Sequence, residues 1–114
     1  MESSNAILII KALDGLSARA VVTAENIANA GTPNYRPLRV SFEAALQEAA
    51  ASGNAEVSKV APNVAPAAAD TPDGELRLDR EMATASSTEL RYGALIDILS
   101  RQIQMDSLAI TGTN

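Results

Sequence analysis

The chain has 114 residues, enough for one domain with a thin hydrophobic core. It holds one Phe, two Tyr and no Trp, His or Cys, which excludes imidazole bases, thiol nucleophiles, disulfides and the usual zinc sites. The net charge of −5 divides as −1, −3 and −1 over residues 1–30, 31–79 and 80–114, so no basic patch offers itself to a phosphate backbone and nucleic acid is not an expected partner.

The first apolar run, Ala6–Ile10, lies between Glu2 and Lys11. It is too short for a signal-peptide core, and nothing approaches the roughly 20 residues of a membrane span. The expectation is a soluble chain that does not span a membrane and that, if exported, travels without a cleaved signal. Residues 3–30 lack proline and contain one glycine, Gly15. Ala6, Ile9, Leu13, Leu16, Ala20, Thr23, Ile27 and Ala30 recur at steps of three and four, a heptad seam. Ser3 or Ser4 is placed to cap a helix start, Gly31 to end the helix and Pro33 to stop it. This predicts one helix about 40 Å long at about 1.5 Å per residue. Ile7, Leu8, Ile10, Val21 and Val22 lie off the seam, so the helix must be covered on more than one side.

Gly31-Thr32-Pro33-Asn34-Tyr35 reads as a turn. Leu38, Val40 and Phe42 alternate with polar residues, as in a short extended piece, and Phe42, Ala45, Leu46 and Ala49 have the spacing of a two-turn helix. Residues 50–75 are rich in Ala, Pro, Asn, Ser and Gly. Pro62, Pro66 and Pro72 exclude a continuous helix there, and the stretch reads as an irregular, mobile segment with a turn at Thr71-Pro72-Asp73-Gly74. Leu76 and Leu78 suggest a further extended piece. From Arg80 to Ile110 there is again no proline. Met82, Ala85, Tyr92, Ile96, Leu99, Ile103 and Ile110 share a three–four rhythm, and Leu90, Leu95, Ile98, Met105 and Leu108 widen the stripe beyond what one partner helix covers. Asp79 is placed to cap this second long helix. The predicted fold is mainly α. Residues 1–30 and 80–114 form two long terminal helices in an antiparallel coiled-coil hairpin, and 31–79 carry a turn, a short helix and a variable middle, within one structural domain.

Little here supports catalysis. The carboxylate pairs Asp79/Glu81 and Asp70/Asp73 sit at a helix start and in a turn, where capping and solvation explain them. No nucleophile–base pair accompanies them, and Ala30-Gly31-Thr32 lacks the glycines and lysine of a phosphate loop. An enzyme is not expected, nor a cofactor. Asn26 and Asn29 are poor mid-helix residues, which either cap the helix end locally or bond to a neighbouring chain. Tyr35 either plugs that helix end or anchors an interface. The wide apolar stripes fit a hairpin core or an intermolecular helix assembly; a cofactor-binding bundle would need ligands the chain lacks. Two helices alone make too thin a core for both faces, which favours some burial between chains.

Asn26-Ile27-Ala28-Asn29-Ala30-Gly31-Thr32-Pro33-Asn34-Tyr35 resembles the N-terminal signature of the flagellar basal-body rod and hook proteins. Leu78-Asp79-Arg80-Glu81-Met82-Ala83, with Leu90-Arg91-Tyr92, Leu95 and Leu99-Ser100-Arg101, resembles the C-terminal helix of a proximal rod subunit. The likeness covers about residues 9–49 and 76–111. Glu25 stands where the family often has Asn, Gly31 where Asp or Asn is common, and Asn34 where Gly is common. The resemblance implies a structural subunit of the bacterial flagellar basal-body rod, with paired terminal helices, that polymerises helically into a hollow drive shaft transmitting torque around an export channel. It implies neighbouring rod subunits, a rod–ring adaptor subunit and the export gate and ring as partners. It also implies export by the flagellar type III apparatus to the periplasmic part of the basal body. The expected assembly residues are Ile9, Leu13, Leu16, Ala20, Asn26, Ile27, Asn29, Thr32, Pro33, Tyr35, Met82, Tyr92, Ile96, Leu99 and Ile103. The rival expectation is a small helical-hairpin adaptor or export chaperone, which would form a discrete dimer.

Overall fold

The structure, a computed structural model, describes residues 3–68 and 74–111. In chain order it contains α1 (Ser3–Ala28), β1 (Leu38–Ser41), α2 (Glu43–Ala50), α3 (Asn54–Val57), β2 (Asn63–Pro66) and α4 (Leu78–Thr111). The expected turn at Thr71-Pro72-Asp73-Gly74 and the Asp70/Asp73 pair fall mainly outside the described residues. The molecule measures 64 × 26 × 15 Å, with a radius of gyration of 17.4 Å. A compact chain of this length would have about 13 Å.

The two long helices run antiparallel. Asn26, near the end of α1, bonds to Glu81 in the first turn of α4, while Leu16 and Ala20 line a groove with Ala85, Thr88 and Tyr92 further along it. With 26 and 34 residues they are about 39 and 51 Å long. The predicted mainly-α hairpin is the fold observed.

The middle is more ordered than an irregular segment. β1 pairs antiparallel with β2, Leu38 opposite Pro66 and Ser41 opposite Asn63. Together with α2 and α3, this pair packs on α1, and β1 also reaches the start of α4 through the Arg39–Glu81 pair. Leu16, Val22, Val40, Phe42, Leu46 and Val57 form the core there, and burying each large apolar side chain is worth about 1.5–3 kcal/mol. Val57 and Ala67, at 3% and 4% exposure, come from the stretch that composition reads as loose. So α1 is covered on two sides, and the off-seam Val22 is buried by this module, not by a second long helix.

Gly15 explains itself at this contact. A Cβ built on it would lie 2.4 Å from the Phe42 ring, so the ring occupies the place of a side chain on α1. Arg19, one turn on, stacks over the same ring at 5.0 Å. Its guanidinium also grips Glu43 with two bonds of 2.6 and 2.9 Å and donates to the Val40 carbonyl at 2.7 Å.

Three details depart from the sequence reading. Gly31 is not the left-handed residue that ends α1; among the described residues only Asn34 (φ 64°) and Gly53 (φ 110°) have positive φ. Residues 76–77 are not a strand, and Leu78 opens α4. Asp79 lies inside the first turn, where its carboxylate accepts from its neighbour Arg80's N–H (2.9 Å) and pairs with Arg77 (2.8 Å). Those contacts, the Arg77 bond foremost, hold its pKa below the ordinary aspartate value.

Candidate functional site

Two features stand out, a polar knot at the root of the hairpin and an uncovered apolar face along α4. The knot starts from Asn26, 1% exposed. Its Nδ2 donates to the Leu38 carbonyl (3.0 Å) and to Glu81 Oε1 (2.9 Å). Its Oδ1 accepts from the Tyr35 hydroxyl (3.1 Å) and the Leu38 N–H (3.0 Å). Two donors and two acceptors are thus all in use. The buried amide joins α1, the turn, β1 and α4 at one point. Glu81, 2% exposed, is held by Asn26 on one oxygen and by Arg39 on the other at 2.9 Å. A buried carboxylate is tolerable here because both its oxygens are bonded and its charge is paired.

The turn continues the pattern at every third residue. Asn29 Nδ2 donates back to the Glu25 carbonyl (2.9 Å), and the Thr32 hydroxyl donates to Asn29 Oδ1 (3.0 Å). The Thr32 carbonyl accepts from the Tyr35 N–H (3.3 Å). Asn34, left-handed, turns the chain so that Tyr35 reaches Asn26, a conformation Asn accepts better than other non-glycine residues. Arg36 then donates to the Ala67 carbonyl, tying the turn to the segment after β2.

The apolar face lies on α4. The residues of α4 least exposed to solvent are Glu81, Thr84, Ala85, Thr88, Leu95, Leu99, Gln102 and Asp106. This inner seam runs about one residue ahead of the apolar rhythm and is polar at most positions. Ala85, Leu95 and Leu99 of the apolar stripe turn inward, and its other large residues face outward. Met82, Leu90, Ile98, Ile103 and Met105 are 57%, 75%, 48%, 57% and 66% exposed, and Leu108 and Ile110 are exposed as well.

The expected assembly residues divide accordingly. Leu13 and Leu16 are buried within the chain, and Ile9, Ile27 and Leu99 are half-buried. Asn26, Asn29, Thr32 and Tyr35 are brought together in the knot and turn, with Pro33 exposed beside them. Ala20, Met82, Tyr92, Ile96 and Ile103 are solvent-facing. Sequence reasoning missed Arg39, Glu81 as a buried partner, and the Gly15–Phe42 contact. The signal for Glu81 was its place on the seam with Ala85 and Thr88, four and seven residues on.

Among the described residues, no group of three or more Asp, Glu, His or Cys could hold a metal, and no helix is long and apolar enough to cross a membrane. Fold and face together define an elongated two-helix hairpin with more apolar residues than its own fold covers. Over 37 residues, 32% of this chain, the sequence is 54% identical to the flagellar basal body rod protein FlgB of Borrelia hermsii, a match that spans 27% of that protein. The likeness is to a flagellar rod protein and is confined to that short segment. No family model matches the chain, and no solved structure matches it.

Proposed function

We propose that this chain is a structural subunit of the bacterial flagellar basal-body rod, in its proximal part, polymerising helically with other rod proteins around the export channel. The observation that carries the reading is the outward apolar stripe of α4, from Met82 and Leu90 through Ile103 to Ile110, which needs covering by neighbours. The segment similar to a rod protein supplies the class of assembly in which such neighbours occur. A contact of one subunit's face with a different face of the next builds an open filament, not a closed ring. The role is mechanical, without catalysis: the polar knot keeps the hairpin in register while many packed contacts resist torque. Its partners would be neighbouring rod subunits, the rod–ring adaptor subunit and the export gate and ring. The chain would reach the periplasmic basal body through the flagellar type III apparatus.

The test is mass spectrometry and electron microscopy of hook–basal bodies purified from the native organism and from a strain lacking this chain. The reading expects its peptides in wild-type rods and rings without rods in the deletion. Intact rods in the deletion, with the purified protein a discrete dimer, would favour the adaptor or chaperone instead.

A further inference from the structure

The cleft where α1, β1 and α4 meet has a composition unlike the rest of this acidic chain. It is open to solvent, has a volume of about 270 Å³ and is lined by Arg19, Thr23, Leu38, Arg39, Arg80, Glu81 and Thr84. Three arginines and one glutamate are among its lining residues. Arg19 is matched by Glu43, and Arg39 by Glu81. Arg80 has no anionic partner among the described residues, so one positive charge in the cleft is unshared. A second observation is independent of charge. Thr23 lines the same cleft at 3% exposure, and no hydrogen bond from its hydroxyl is found among the described residues. A buried hydroxyl without a partner is costly and is ordinarily satisfied by something. The cleft also lies at the first turns of α4, whose N-terminal N–H groups favour negative charge.

We propose that this cleft is a binding site for a carboxylate, the side chain of an aspartate or glutamate on a protein partner. Arg80 supplies the charge and Thr23 and Thr84 supply hydroxyl donors. At about 270 Å³ the cleft has room for such a head group together with the stem of the side chain that carries it. The two oxygens of Glu81 are already bonded, so the incoming acid takes the free cation without displacing the knot. Binding of the acid does not depend on the rod reading. Only the natural source of the carboxylate does, so the site and that reading fail separately.

The test uses the full chain, isotopically labelled for NMR, titrated with sodium acetate and with a blocked Gly-Glu-Gly peptide against sodium chloride at matched ionic strength. Both carboxylates should give saturable shifts at the Thr84 amide and the Arg80 side chain, and chloride should not. Arg80→Gln, on the exposed side of α4, should weaken acetate binding about tenfold, the value of one charge-assisted hydrogen bond. Thr23→Val, equal in shape, should weaken it several-fold without lowering the unfolding temperature. Equal responses to acetate and chloride would overturn the site. So would saturable binding retained by a folded Arg80→Gln chain, or saturation by inorganic phosphate alone. Binding of acetate but not of the peptide would overturn the assignment to a protein side chain.

Discussion

At the scale of single residues, stability concentrates in a few polar contacts. Asn26 is the most connected. Asn26→Ala removes four hydrogen bonds and leaves the Leu38 N–H and one buried Glu81 oxygen without that partner, while the Leu38 carbonyl keeps its bond from Arg39. A loss of about 3 kcal/mol or more is expected, read as a lower urea midpoint. Glu81→Gln keeps an acceptor for Asn26 and should cost less than Glu81→Ala, which removes one hydrogen bond from Asn26 and the ion pair with Arg39. Gly15→Ala sets two effects against each other. Alanine favours the helix by about 1 kcal/mol, but its methyl group would overlap the Phe42 ring. Overpacking of that kind costs about 1–3 kcal/mol, so the variant should unfold at lower urea than the wild type.

The Arg19–Glu43 pair makes a pH prediction. The hydrogen bond from Arg19 comes first among the causes that hold the Glu43 carboxyl below 4.5 in the folded chain, despite some opposing desolvation. A carboxylate with a lowered folded pKa adds stability that is fully present above its unfolded value. That contribution fades as pH falls below about 4.5 and is gone once pH has passed the folded value. Glu43 is half-exposed, so the contribution is screened and amounts to less than about 1 kcal/mol. Glu43→Gln should lower the urea midpoint slightly at pH 6, and the gap from wild type should narrow as pH falls from 5 to 3. A gap independent of pH would contradict this account of the pair.

At the scale of elements, α1 was legible because its apolar seam is also its buried seam, with Leu13, Leu16 and Thr23 inward. The turn was legible from Asn26, Thr32, Pro33 and Tyr35, whose side chains allow few arrangements. In α4 the rhythm was clear but its direction was not. Apolar spacing says which residues share a face, not whether that face meets the same chain or another, and here Glu81, Thr88 and Gln102 take the inner side. The pairing of β1 with β2 was hidden because residues 63–66 carry Pro66 and only one large apolar residue, Val64. The strand is fixed by its pairing with β1 and by the neighbouring Ala67, whose N–H bonds the Pro37 carbonyl, more than by its own propensity. Substitutions should separate the two faces of the hairpin. Leu16→Ala, in the core, should cost about 2–5 kcal/mol. Ile103→Ser, on the outer stripe, should leave the unfolding midpoint of the isolated chain within about 0.5 kcal/mol of wild type.

At the scale of the whole molecule, a 64 Å hairpin only 15 Å thick exposes much of its length to whatever lies beside it. The short module of β1, α2, α3 and β2 gives α1 a local core. α4 is braced by the knot at its start and lies uncovered along its outer side. In the proposed reading this division has a mechanical sense: one helix holds the subunit together while the other holds it to its neighbours. The most direct test is complementation of a strain lacking this chain with the Ile96→Ser/Ile103→Ser variant, after its fold is verified by circular dichroism and urea unfolding. The account predicts a normally folded protein that does not restore rods, so that purified basal bodies end at the rings. Full-length rods containing the variant would contradict it, because the outer face of α4 would then carry no assembly contact.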